Sequence, residues 1–430
     1  VSRQIRKKAE SAKNSSISLS ALNNTKKNNA LNAIAQALNK ARTKIKTANK
    51  KDIEKAKKKD INIVLQKRLK FDDVKINEVI SGINDLTKME DPVGKTLKAT
   101  ELDKNLKLYC ISCPIGVIGV IFESRPDALV QILSLCLKSG NSILLKGGKE
   151  AANTNKVLYN IIKKASEKNG APKGWIQLLE SRDDVKKMLE MERLINLVIP
   201  RGSNALVRFV MDHTNIPVLG HAEGICHAYV DENADLKMAL EVCKDSKCQY
   251  PAACNAIETL LVNKKIAKSF LPKFKEIMDK EGVKLLADSK ARKIISISPA
   301  DEVDWRTEYT DLILSIKLVA NLDEAINHIN EYSSHHTDVI ITKDKVKAEK
   351  FMQMVDSAGV FHNCSTRFAD GYRYGLGAEV GISTSKIHAR GPVGIEGLII
   401  YKWKLTGNGN IVADYSGNKP KRKFTHKKIK

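Results

Sequence analysis

From Val117 to Met211 short apolar runs and amphipathic stretches take turns, and this alternation limits the fold more than any other feature of the chain. The runs Val117 to Ile121, Ser142 to Leu145, Trp175 to Leu179 and Leu194 to Ile199 have strand length. Each is followed by a helical pattern: Pro126 to Lys138, about Lys149 to Glu167, around Asp183 to Met191, and Asn204 to Met211. Pro126 opens the first of these helices and Gly140 stops it. Strands that alternate with helices in this way pair in parallel through right-handed crossovers, with both sheet faces covered. Ligands of such sheets gather at the carboxyl ends of the strands, where loops lead into helix N-termini. Two loops take that position here, residues 146–149 and 200–203.

A second alternating stretch follows a join placed near Asp231. It reads helix Ala234 to Lys244, a loop with Cys254, strand Ile257 to Val262, helix Ala267 to Lys280 and strand Leu312 to Leu318. Helix Leu322 to Glu331, strand Val339 to Ile341, helix Lys345 to Val355 and strand Val360 to Phe361 complete it. Upstream of both stretches, Leu31, Ile34, Ala35, Leu38, Ile45 and Ile53 recur at three- and four-residue steps, which predicts a long amphipathic helix over Asn29 to Lys58. The last thirty residues read as a strand and then a loose basic tail.

Composition narrows the function. The chain carries 73 Lys and Arg against 49 Asp and Glu, a net +24, but residues 1–60 hold 17 basic and 4 acidic side chains and residues 401–430 hold 9 and 1. The body between them is close to neutral, so it offers no basic track for a nucleic acid backbone. Eight cysteines at irregular intervals imply reduced thiols and a cytoplasmic location. Cys110 and Cys113 form a lone CxxC, read as packed strand residues with no metal. The apolar stretch Leu108 to Phe122 is broken by Pro114, Gly116 and Gly119, so no membrane span is expected. The basic, amphipathic N-terminus lacks an apolar core; a remnant transit peptide is the other reading of it.

Few residues announce chemistry on their own. Gly202 and Ser203 open a helix after a strand and could hold a phosphate, or form a plain N-capped turn. Lys146 and Lys149 flank two glycines at another strand end, where they suit an anion or face solvent. Cys254, among alanines, is a buried small side chain or a nucleophile. No GxGxxG, Walker, GxSxG or HExxH sequence occurs. His335 and His336 are adjacent, so their side chains diverge and do not easily share one metal ion.

Six segments together carry a resemblance. They are PIGVIGVIFESRP (114–126), LLKGGKEA (144–151), IPRGS (199–203), YPAACNA (250–256), the run from Val319 to Asp338, and FHNCSTRFADGYRYG (361–375) leading to HARGPVG (388–394). In this order and spacing the chain, from about Asn29 to Asp414, resembles the gamma-glutamyl phosphate reductases, or glutamate-5-semialdehyde dehydrogenases, a branch of the aldehyde dehydrogenase superfamily. The resemblance implies an α/β, aldehyde-dehydrogenase-like fold with two parallel-sheet domains, one Rossmann-like for the cofactor and one catalytic. The expected limits are 1–230 for the cofactor domain, with 101–114 in an oligomerisation element, 231–390 for the catalytic domain, 391–412 for an oligomerisation strand segment, and 413–430 for the basic tail.

What the resemblance implies chemically is NADPH-dependent reduction of L-glutamyl 5-phosphate to L-glutamate 5-semialdehyde and phosphate, through a thioester on Cys254. The Cys254 N–H and a side chain from the loop holding Ser124 would form the oxyanion hole, although oxidative relatives carry asparagine where Ser124 stands. Arg125, Asn363, Ser365 and Arg367 are expected around the substrate. Lys146, Lys149, Gly202, Ser203 and Glu308 are expected around the cofactor. Lys149 replaces the acid that NAD-accepting relatives use for a ribose hydroxyl, which favours a 2′-phosphate and NADP. The water-activating glutamate of aldehyde-oxidising relatives is also missing: the stretch reads GHAEG (220–224), with His221 near that position, which fits reduction. A homo-oligomer pairing strands near Leu106 to Ile111 and Leu398 to Leu405, and coupling to a glutamate 5-kinase, are implied partners. Nucleic acid and membrane are not. Other acyl-phosphate or aldehyde oxidoreductases on this scaffold, and a basic binding protein that keeps the fold without turnover, are the competing readings.

Overall fold

The structure, a computed structural model, describes residues 2–59, 66, 68–123, 125–221, 223–376, 379–387 and 389–429. The chain divides into two units, Val1–Val218 with Gly377–Gly381 and Val393–Lys430, and Leu219–Leu376 with Ile382–Pro392.

In the first unit the strands β1 (Thr96–Asp103) and β2 (Leu106–Pro114) precede β3 (Val117–Phe122), β4 (Ser142–Gly147), β5 (Ile176–Leu178) and β6 (Leu197–Arg201). The last four form the expected parallel sheet in the order β5-β4-β3-β6. Every residue of β3 and β4 is buried, as a strand covered on both faces requires. One covering element is the helix Pro126–Ser139, whose left-handed Gly140 takes two bonds to the last carbonyls. Another is the N-terminal helix Ser2–Ser20: its Ile5, Ala9 and Ala12 join Val117, Ile121 and Leu144 in one core, so the basic, amphipathic start is used inside the fold.

The helix predicted over 29–58 is two helices, Asn24–Lys40 and Arg42–Lys58, because Ala41 leaves helical geometry. From the second, buried Asp52 accepts bonds from the backbone and side chains of Asn153 and Thr154, capping the helix Ala152–Lys168 with a carboxylate. The C-terminal region differs from expectation. Beyond β2 lie β1 on one side and Ile399–Thr406 on the other, antiparallel throughout. The tail is not loose: Lys427–Lys428 pairs with β1, the Tyr415 hydroxyl donates to Asp103, and Phe424 stacks on Tyr415.

The second unit holds seven parallel strands: β7 (Cys226–Val230), β8 (Ile257–Asn263), β9 (Lys284–Ala287), β10 (Ser298–Pro299), β11 (Ile313–Val319), β12 (Thr337–Ile341) and β13 (Gly359–His362). Their order is β10-β9-β11-β8-β7-β12-β13. Side chains alternate faces: Ala228 and Val230 pack with helices Leu236–Cys248 and Ala267–Lys280, and Tyr229 with helices Leu322–Tyr332 and Lys345–Met354. The boundary expected at 231 therefore moves back to about Leu219, since β7 is paired on both sides in this sheet. With His227 as its second residue, β7 carries too weak an apolar signal to be read as a strand.

Candidate active site

Cys254 lies in the turn between helix Leu236–Cys248 and β8, and is partly exposed. Several contacts fix its backbone. The Cys226 thiol donates to the Cys254 carbonyl at 3.2 Å, and the Asn255 amide donates to the Ala369 carbonyl at 2.8 Å. Gly224 presses on it directly: a Cβ there would stand 2.2 Å from the Cys254 carbonyl oxygen and 2.5 Å from its Cα. Only glycine fits so close an approach. Below the turn, Lys247 and Glu258, at its two ends, form a fully buried ion pair at 2.5 Å. Burial pushes the Glu258 carboxyl up to about 7, with Lys247 opposing.

Arg367 stands beside the same turn. It is buried, its Nε donates to Gln249 at 2.9 Å, and its guanidinium lies over the Tyr250 ring. Burial and then Arg373 pull this group below its usual range, while the Cys254 charge pulls it up, so thiolate and guanidinium stabilise each other. Ser365 caps the short turn that carries Arg367, accepting from its N–H, and meets Ser246 at 3.2 Å.

Two imidazoles complete the cluster. Cys254 Sγ and one ring nitrogen each of His221 and His336 all lie within 4.8 Å of one another. The His221 Nδ1 is 3.1 Å from the Ile382 carbonyl. His336 is buried, its Nδ1 bonds Thr337 Oγ1 at 2.9 Å, and burial holds it neutral, far below the usual imidazole range. His335, at φ +60°, turns the other way to the Asp356 carbonyl, so the neighbouring side chains diverge as expected.

The other expected residues fall in three groups. Asn363, at φ +55°, bonds the backbone of Thr342 through both amide atoms and so shapes the turn that carries it. Glu308 lies in the loop before β11, next to Thr310, whose N–H faces Glu258 at 3.4 Å. Ser124 lies outside the described residues. Arg125, Lys146, Lys149, Gly202 and Ser203 belong to the first unit, where Phe122, Gly147 and Arg201 end β3, β4 and β6 in register. Arg125 pairs with Asp127 at 3.2 Å. The Ser203 N–H already donates to the Glu123 carboxylate at 2.8 Å, so the anion on this helix N-terminus is the chain's own.

Lys149 instead lines a cavity of about 270 Å³ with Gly147, Gly148, Asn153, Asn155 and Glu180 at the ends of β4 and β5. Lys146 reaches the Gly147 carbonyl at 2.6 Å, and burial lowers its ammonium below the usual range. A Cβ on Gly147 would meet the Asn155 amide at 2.2 Å, and that amide, buried, has no hydrogen-bond partner among the described residues. A cradle only glycine leaves open, the cations Lys149 and Lys156 and an unanswered amide fit a phosphorylated nucleotide.

The profile of the aldehyde dehydrogenase family matches residues 2–291. The chain belongs to this family. It is 58% identical to the gamma-glutamyl phosphate reductase of Pelotomaculum thermopropionicum over 421 residues, 98% of this chain and 96% of that one. The gamma-glutamyl phosphate reductase crystal structure from Thermotoga maritima superposes with a TM-score of 0.92 at 41% identity, covering 95% of this chain and 99% of that one. A glyceraldehyde-3-phosphate dehydrogenase from Methanocaldococcus jannaschii, solved with NADP, shares the fold at 17% identity and a TM-score of 0.66, covering 95% of each chain. As a family member the chain is an oxidoreductase.

Sequence reasoning on this aldehyde dehydrogenase family member missed His336 as a neighbour of Cys254, and missed Gly224 and the Lys247–Glu258 pair. His336 becomes a neighbour only through strand order. Because β7 lies between β8 and β12, the segments that enter these strands, holding Gly224, Cys254 and His336, meet at one edge. That edge is the amino end of the strands, opposite to the end where open parallel sheets usually bind ligands.

Proposed function

We propose that the chain reduces L-glutamyl 5-phosphate to L-glutamate 5-semialdehyde and phosphate with NADPH, the second step of proline biosynthesis from glutamate. The observation that supports this most is a partly exposed thiol on a turn fixed by glycine contact, with a buried guanidinium beside it. The Cys254 thiolate attacks the acyl carbon, the C–O bond to phosphate breaks, and a thioester forms. Arg367 favours the thiolate and attracts the anionic substrate, while the imidazole of His221 is near enough to hold the thiol proton that the departing phosphate needs. The cofactor supplies the hydride that reduces the thioester, and the resulting thiohemiacetal expels the aldehyde and restores the thiolate. No carboxylate stands at the position of His221, so the thioester is spared activated water.

Lys146, Lys149 and the Gly147–Gly148 cradle are the residues we assign to the nucleotide, with Lys149 on the 2′-phosphate and Glu308 on the nicotinamide ribose. We also assign the chain to a cytoplasmic homo-oligomer built through β2 and Ile399–Thr406, working beside a glutamate 5-kinase. The test is the reverse reaction of the purified chain with semialdehyde and NADP⁺. Turnover that requires inorganic phosphate is the expected result; turnover indifferent to phosphate would overturn the proposal.

A further inference from the structure

One thiol and two imidazoles within 4.8 Å are also the donor set of a thiophilic metal ion. An independent observation points the same way. His336 is buried, yet its Nε2 has no hydrogen-bond partner among the described residues. A buried polar atom left unanswered is costly, and a ligand that completes it stabilises the site. The Nδ1 of His336 contacts Thr337 Oγ1, which leaves its Nε2 for ligation, and the His221 Nδ1 is held by the Ile382 carbonyl, the outer-shell arrangement common around zinc-binding histidines. Zinc bonds of roughly 2.0–2.3 Å bring tetrahedral ligand atoms to roughly 3.5 Å apart, so the set closes by about 1.3 Å at most from the 4.8 Å bound.

We propose that Cys254, His221 and His336 bind a zinc-class divalent cation, with water in the fourth position, and that this ion blocks the thiol reversibly. The proposal rests on Cys254 being the nucleophile of the reaction above. Binding releases the thiol proton to solvent and involves no change of oxidation state. The cation masks the sulfur from the acyl phosphate, so available zinc would set the fraction of enzyme able to react.

The test uses the full chain, stripped with a chelator and kept reduced without thiols, in equilibrium dialysis against Zn²⁺ and in absorption titration with Co²⁺. One ion per chain is expected, with a sulfur-to-cobalt charge-transfer band and protection of Cys254 from alkylation that a chelator reverses. Cys254→Ser should abolish the band, and His336→Asn and His221→Asn should each weaken binding by about tenfold or more. If the buried His336→Asn does not fold, the partly exposed His221→Asn carries the test. Absence of stoichiometric binding, or binding that survives Cys254→Ser, overturns the proposal. The two readings fail separately: an enzyme with phosphate-dependent turnover but no zinc loses only the metal site, and a zinc site on a chain without that turnover loses only the reaction.

Discussion

Replacing Gly224 by alanine tests the geometry of the nucleophile with a single methyl group. The added carbon would stand 2.2 Å from the Cys254 carbonyl oxygen, whereas real Cβ atoms essentially never approach closer than 3.0 Å, so something must move by at least 0.8 Å. The atoms in the way are the Cys254 carbonyl oxygen, Cα and Cβ, at 2.2, 2.5 and 2.6 Å, and none is the end of a flexible side chain. The cysteine itself therefore shifts. Overpacking of this kind costs about 1–3 kcal/mol, which for a unit of this size lowers Tm by about 2–10 °C. A displacement near 1 Å at a reacting atom costs about 100-fold in rate. Reverse-direction kinetics with thermal unfolding should show a kcat loss of that order in protein that is still folded. A variant with parental kcat and Tm would refute the claim that Gly224 sets the position of the thiol.

Three further outcomes follow from other contacts. Lys247→Met leaves Glu258 buried without its cation, a loss of about 3–5 kcal/mol by urea unfolding at pH 8. Because burial raises the folded Glu258 carboxyl from 4.5 to about 7, its protonation favours the folded state at low pH; the variant's deficit should shrink as pH falls from 8 to 5, and a deficit that grows would contradict the assignment. Asn363→Ala loses two bonds to Thr342 and places a Cβ at φ +55°, so stability should fall by about 2–3 kcal/mol, and Asn363→Gly should recover only the conformational part; a change in substrate KM with stability intact would return Asn363 to the substrate site. Lys149→Glu should weaken NADPH binding, followed by nucleotide fluorescence, by about tenfold or more while NADH loses less; equal losses would remove Lys149 from the 2′-phosphate.

Much of the fold is legible in the sequence because β3, β4 and the helices between them obey simple periodicity. Where burial is complete, as in β3, a continuous apolar run marks the strand. The reading fails where tertiary contacts override pattern. β7 has a buried histidine, His227, whose backbone N–H and ring face Asp338 on β12 and whose ring also packs on His328. The tail from 413 reads as loose because its anchors, Tyr415 on Asp103 and Phe424 on Tyr415, join residues far apart in sequence or hide among lysines. The site was readable in the same measure. Cys254 and Arg367 come with the family's motifs, whereas His336 reaches the thiol only through a strand order that no local pattern encodes, and Gly224 matters for what lies against it in space.

The central claim is that Cys254 carries the acyl group. Mixing the chain with semialdehyde and NADP⁺ in phosphate-free buffer should give a burst of one NADPH per chain that then stalls, leaving the peptide that holds Cys254 heavier by one glutamyl group. Adding phosphate should restart turnover. A burst that persists in Cys254→Ser, or an acyl group found on any other residue, would contradict it.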